Sequence, residues 1–184
     1  IPNPFAAKWI AECIELCKPD ELYLCNGSIE ERERLYARGC ADGTFVKLDQ
    51  KKWPGCYYHR SNSNDVARTE HLTYICTPGP DMVGPTNNWM EAKQGYAKLR
   101  GLYDGCMRGR TMFILPFVMG PIGSPLAKVG VELTDSLYVA VNMQIMTRMG
   151  DVAWRQLGSD DEFTRCLHSV GDVNPDRRYI CHFP

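Results

Sequence analysis

Thr111-Met-Phe-Ile-Leu-Pro-Phe-Val118, Gly120-Pro-Ile-Gly-Ser-Pro125 and Val129-Gly-Val-Glu-Leu133 follow one another in the middle of the chain. The outer two runs are dense in β-branched and aromatic side chains, and the one between them is built of turn residues. This pattern predicts two central strands joined by a turn. Working back toward the amino terminus, Phe5, Trp9, Ile10, Cys13, Ile14 and Cys17 recur at helical spacing, and Pro19 ends that helix before a strand-like Glu21–Cys25. Ser28 and Glu31 have capping-box spacing, which predicts a second helix over Ile29–Arg38 closed by Gly39 and Gly43. Thr44–Leu48 and Cys56–His59 read as neighbouring strands or a hairpin across the polar stretch 49–55, and Leu72–Thr77 as another strand. The breaker-rich stretch 78–88 is expected at the surface, followed by a helix capped by Asn88 and Glu91 and running to about Leu102.

Toward the carboxyl terminus, Leu137, Ala140, Val141, Gln144, Ile145 and Arg148 form a mostly apolar helical stripe, with Met143, Met146 and Met149 as packing residues. Ser159 with Glu162 predicts a further short helix, and Cys166–Val170 and Arg178–Phe183 read as strands. Helices and strands alternate without an internal repeat, so the expected fold class is α/β, a mixed β-sheet packed with helices.

The 184 residues, 44% of them apolar, suffice for one domain of ordinary core size. Twenty-one basic against 22 acidic residues give a net charge of −1, so no nucleic-acid partner is expected. No run approaches the roughly 20 apolar residues of a membrane span, and none is expected to contact a membrane. The nine cysteines are an odd set without a Cys-x-x-Cys pair, which points to reduced core thiols and a cytoplasmic location. The start at Ile1 and the stop at Pro184, directly after a strand-like run, lead to the expectation of a piece of a longer protein.

Familiar phosphate loops, Gly-x-x-x-x-Gly-Lys-Ser/Thr and Gly-x-Gly-x-x-Gly, do not occur, nor does a Gly-x-Ser-x-Gly elbow. His59, His71, His168 and His182 lack metal-ligand spacing and read as satisfied imidazoles. Arg108 and Arg110, bracketing Gly109 before the Thr111 strand, could meet a phosphate or carboxylate, or could pair with Asp104 or Glu162. In Asn64-Asp65-Val66-Ala67-Arg68-Thr69-Glu70 one cation is flanked by anions, which fits either surface ion pairing or an Arg68 that holds a substrate carboxylate.

Six segments together resemble the GTP-dependent phosphoenolpyruvate carboxykinases: Asp65–Glu70, Gly105–Met112, Pro116–Pro125, Gly130–Ser136, Ile145–Gly150 and Cys166–Gly171. They run in the family's order over about Ile10 to Pro184. The resemblance implies residues 1–184 as an N-terminal substrate-binding domain of an enzyme that converts oxaloacetate and GTP to phosphoenolpyruvate, GDP and carbon dioxide. Arg68 matches the arginine that holds the substrate carboxylate, and Glu70 a glutamate that helps hold the closing lid. GTP and Mn²⁺ or Mg²⁺ are then held by the remaining C-terminal part of the enzyme. This piece is expected to bind neither, to be inactive alone and to be monomeric. Alternatives are a non-catalytic carboxylate-binding module and a pyrophosphate-dependent relative. The chain departs from the family after Gly171, where Asp172-Val173 leads directly to Asn174-Pro175 in place of a longer Trp-Pro-Cys-Asn-Pro-like connection.

Overall fold

A computed structural model describes residues 1–65, 69–85 and 87–184. Helix α1 (Pro4–Cys17) leads into β1 (Glu21–Leu24), α2 (Ile29–Ala41) and a short hairpin of β2 (Val46–Lys47) and β3 (Tyr57–Tyr58). Next come β4 (Thr73–Ile75), β5 (Asn88–Trp89), α3 (Ala92–Tyr103), β6 (Thr111–Met119) and β7 (Lys128–Thr134). The chain finishes with α4 (Leu137–Met146), β8 (Arg148–Met149), α5 (Asp151–Leu157), β9 (Thr164–His168) and β10 (Ile180–His182). The fold is therefore the expected α/β type, with a mixed sheet.

The large sheet has the order β1-β6-β7-β9, and β8 lies beside the far end of β6. β6 and β7 are antiparallel, while β1 runs parallel to β6 and β9 parallel to β7. The first eight residues of β6 are all buried, because helices cover both faces of this strand. On one face Ala6, Ile10, Cys13 and Cys17 of α1 and Trp154 and Leu157 of α5 pack on Met112, Ile114, Val131 and Leu133. On the other, Leu35 of α2 and Leu137, Ala140 and Val141 of α4 pack on Phe113, Leu115 and Phe117. The strand period of two sends alternate β6 side chains into the two cores, which is why the quoted run is apolar from Met112 to Val118.

Pro116 sits inside this central strand. Its carbonyl accepts from Gly150 N at 3.1 Å, so its missing N–H falls on the same edge, at the point where β1 gives way to β8. No ladder bond is lost there. Gly150 is held at φ +83°, and a Cβ on it would lie 2.0 Å from Asn26 O, so this close approach requires glycine.

Two smaller units complete the fold. β10, β4 and β5 form a parallel three-stranded sheet, against which α3 packs through Gly95. The β2–β3 hairpin rests on the large unit through the stacked rings of Tyr36 and Tyr57, 3.9 Å apart.

Several expectations change. The helix expected from Ser159 and Glu162 does not form; α5 precedes that position, and the Asn3 side-chain amide donates to the carbonyls of Gly158 and Asp160 at 3.0 and 2.8 Å. The same Asn3 caps α1 by accepting from Ala6 N, so one buried side chain fixes both segments. The Leu137 stripe ends at Met146, since Thr147 is extended and Arg148 pairs with Val118 of β6. Asn88 belongs to β5 and donates to the Glu70 and Thr73 carbonyls, leaving Glu91 as the cap of α3. In the breaker-rich stretch Val83 is buried. Cys13, Cys17, Cys25 and Cys76 are buried thiols as expected, whereas Cys40 and Cys56 are exposed.

Candidate functional site

The antiparallel β6–β7 pairing brings the start of β6 and the ends of β7 and β9 to one edge of the large sheet. There the carboxylate of Asp135 is fully removed from solvent, with a side-chain exposure of 0%. It accepts from Arg110 Nη1 at 2.7 Å, Ser169 Oγ at 2.7 Å and Val170 N at 2.9 Å. Arg110 Nη2 donates to Gly171 O at 2.6 Å. These charge-assisted bonds pin the segment after β9 to the sheet. Arg110 is thus a structural cation whose partner is Asp135, not Asp104 or Glu162; Asp104 pairs with Lys18 at 2.5 Å.

Beside this node, Thr134 Oγ1 accepts from Ser136 N and lies within hydrogen-bonding distance of His168 Nδ1, 2.8 Å away. Burial holds the His168 imidazole below the ordinary value, against the opposing pull of Asp135 and Asp65. His59 is also satisfied, since Nδ1 meets Thr44 O at 2.7 Å and its ring stacks on Tyr138. At the neighbouring strand starts, Thr111 Oγ1 donates to Glu21 at 2.7 Å and accepts from Arg38 at 2.8 Å.

Glu132, in the same row of β7 as Thr134, lies opposite Cys166 of β9. Burial pushes its carboxyl up to about 7, while a hydrogen bond with Cys166 opposes the rise.

A broad concavity opens at this sheet edge, and Asp65, Thr69, Asp135, His168 and Ser169 share its lining. Arg68 lies outside the described residues. Its described flanks, Asp65 and Thr69, are on the concavity, and Thr69 O accepts from Thr73 Oγ1 at 2.8 Å. Glu70 is solvent-exposed and opens a 3₁₀ turn, Glu70–Leu72, with its carbonyl held by Asn88 Nδ2 at 2.5 Å. Arg178 donates to the Asn64 carbonyl. The described residues Asn64 and Thr69 thus each have their carbonyl held by a polar contact. Sequence reasoning missed Asp135, Ser169 and Glu132. Thr134-Asp135-Ser136 directly after an apolar strand was the available signal for the first.

Comparison with known proteins bears on what such an edge is for. The family model described as phosphoenolpyruvate carboxykinase N-terminal domain matches residues 8–184. The chain belongs to that family. "Phosphoenolpyruvate carboxykinase [GTP]" of Anaeromyxobacter sp. (strain K) is 60% identical over 182 residues, covering 99% of this chain and 30% of the relative. The protein of the same name from Neocallimastix frontalis is 47% identical over 196 residues, covering 100% of this chain and 32% of its own length. That from Chlamydia felis is 44% identical over 188 residues, covering 96% and 31% respectively. The chain therefore spans about 30% of the length of these relatives. Among the described residues no helix is long and apolar enough to cross a membrane.

Proposed function

We propose that residues 1–184 are the N-terminal substrate-binding domain of a GTP-dependent phosphoenolpyruvate carboxykinase, supplying the anchor for the carboxylate of oxaloacetate and phosphoenolpyruvate. The observation that carries this reading is Asp65-Val-Ala-Arg68-Thr-Glu70 in a chain of this family, with Asp65 and Thr69 lining the concavity at the sheet edge. Arg68 takes the substrate carboxylate in its guanidinium fork. A planar, permanently charged fork fixes both distance and orientation, so its contribution is positioning of the enolate oxygen toward the phosphoryl donor. Glu70, exposed and two residues on in the sequence, is the contact for a closing lid.

Among the described residues no three His, Cys, Asp or Glu side chains converge to hold a metal ion. GTP and the Mn²⁺ or Mg²⁺ that neutralises phosphoryl charge are assigned to the remaining part of the enzyme, and no step of theirs is routed through this domain. The reading further includes a monomeric, cytoplasmic enzyme and a domain that does not turn over substrate alone.

Arg68→Ala in the full-length enzyme is expected to raise KM for oxaloacetate and phosphoenolpyruvate on the order of 100-fold, the loss of two charge-assisted hydrogen bonds, with KM for GTP little changed. Equal effects on both substrates would remove Arg68 from the carboxylate site. Calorimetry of the 184-residue domain with oxalate separates the alternative, since micromolar binding would identify a self-sufficient carboxylate sensor.

A further inference from the structure

Two strand edges meet the concavity, and the direction of their main-chain groups follows from the ladders. Ile114 O accepts from Cys25 N, next to β1, at 2.9 Å, so Phe113, Leu115 and Phe117 turn their main-chain groups the other way, to β7. Val131 and Leu133 then turn theirs to β9, where parallel pairing takes up Thr164, Cys166 and His168. Arg165 and Leu167 are left facing away from the sheet. The Leu167 carbonyl accepts from the Tyr103 hydroxyl at 2.6 Å. The Arg165 N–H and C=O and the Leu167 N–H have no partner among the described residues. In the small sheet Cys76 N donates to His182 O at 2.7 Å, so Ile180 and His182 face β4. The main-chain groups of Cys181 face away from it, again without a partner among the described residues.

We propose that an extended segment from the remaining part of the enzyme enters between β9 and β10 as a strand and joins the two sheets into one. The inference rests on the reading of this chain as one domain of a longer enzyme. Arg165, Leu167 and Cys181 line the same concavity, so a single strand can reach both edges. The concavity holds about 2730 Å³, against roughly 300–1,000 Å³ for a small-molecule site, so a substrate of oxaloacetate size leaves most of it to be filled by chain. The relatives possess such chain, since the present residues span about 30% of their length. A second copy of the domain fits less well. Its own β9 and β10 edges lie inside the same concavity, and two edges that each line a concavity cannot meet.

The two faces of the gap specify the strand. On one face stand Glu132, Cys166 and His168; on the other Leu167 packs with Trp9 and Tyr103. Because side chains alternate along a strand, the inserted segment carries small or polar residues in one row and apolar residues in the other. It also walls the space that Asp65 and Thr69 line, so closing the sheet and completing the substrate concavity are one event.

Hydrogen exchange of the full-length enzyme, read at single amides by mass spectrometry with electron-transfer fragmentation, tests this. The amides of Arg165, Leu167 and Cys181 should exchange as slowly as those of Cys166, His168 and His182, which face their ladders. In the 184-residue chain the three outward amides should exchange about 100-fold or more faster than the inward three, whose protection shows that both sheets are formed. Fast exchange at the outward amides of a full-length enzyme that makes phosphoenolpyruvate from oxaloacetate and GTP overturns the inference and leaves the functional reading standing. Slow exchange there in a full-length protein without that activity does the reverse. Equally slow exchange in the 184-residue chain also overturns the inference, and protection that grows with its concentration, alongside dimers in ultracentrifugation, would assign the edges to a second copy instead.

Discussion

Removing Asp135 tests how the concavity wall is held. Its carboxylate is wholly buried and accepts three hydrogen bonds, while the Arg110 side chain that pairs with it keeps 38% of its exposure. Asp135→Ala leaves a half-solvated guanidinium, a serine hydroxyl and one backbone N–H without their acceptor. Breaking a fully buried ion pair from one side costs about 3–5 kcal/mol, and partial solvation of Arg110 places the expected loss near the lower end, about 3 kcal/mol. For a chain of this length that corresponds to roughly 8 °C in Tm. Arg110→Met strands the opposite partner, a carboxylate that water does not reach, so it should cost at least as much. Urea unfolding of the two single variants and the double variant gives both values and their coupling, which should exceed about 1 kcal/mol because the two groups share one contact. A loss below about 1 kcal/mol for Asp135→Ala, or a clearly milder Arg110→Met, would refute the view that this pair pins the segment after β9.

Glu132→Gln gives a pH signature. Its folded value, about 7, lies above the ordinary 4.5, so below 4.5 both folded and unfolded carboxyls are protonated and the residue is neutral for stability. Between 4.5 and 7 the unfolded chain ionises while the folded one keeps its proton, and stability falls with rising pH until it levels off above 7. Glu132→Gln should therefore stabilise the protein at pH 8, by up to about 3 kcal/mol, and change little at pH 4; denaturant melts at the two pH values check this, and equal effects at both would contradict it. Gly150→Ala forces a Cβ to within 2.0 Å of Asn26 O from a left-handed backbone, so it should cost more than about 2 kcal/mol, read as a drop in Tm.

The sequence carried the central strands because β6 is buried on both faces, and burial of that kind leaves an uninterrupted apolar run that no other element in this chain imitates. The first helix was legible for a similar reason, its Ile10, Cys13 and Cys17 stripe facing one core. The errors have a common origin in side chains that act across long sequence separations. Ser159 and Glu162 have capping spacing, but Asn3, more than 150 residues away, takes the carbonyls there. Arg148 fits the period of α4, yet strand pairing with Val118 claims its backbone. At the candidate site, Arg110 stood out as a cation beside a strand, while its partner Asp135 lies just past the end of the next strand and no local spacing links them. Arg68 and Glu70 rested on family resemblance from the start, because one cation between two anions has the same local appearance at a surface and in a cleft.

The parallel pairing of β4 with β10 has a consequence for how the molecule is made. Thr73–Ile75 gains its second neighbour only from Ile180–His182, and β1 waits for Thr111–Ile114 before it has a hydrogen-bonding neighbour. As the chain leaves the ribosome, Leu22 and Leu24 emerge about ninety residues ahead of the strand they border, and the small sheet closes only when the last of these residues is free. Such distant closures are slow to form. Until these pairings form, the nascent segment carries unpaired apolar strand, the condition in which holdase chaperones engage.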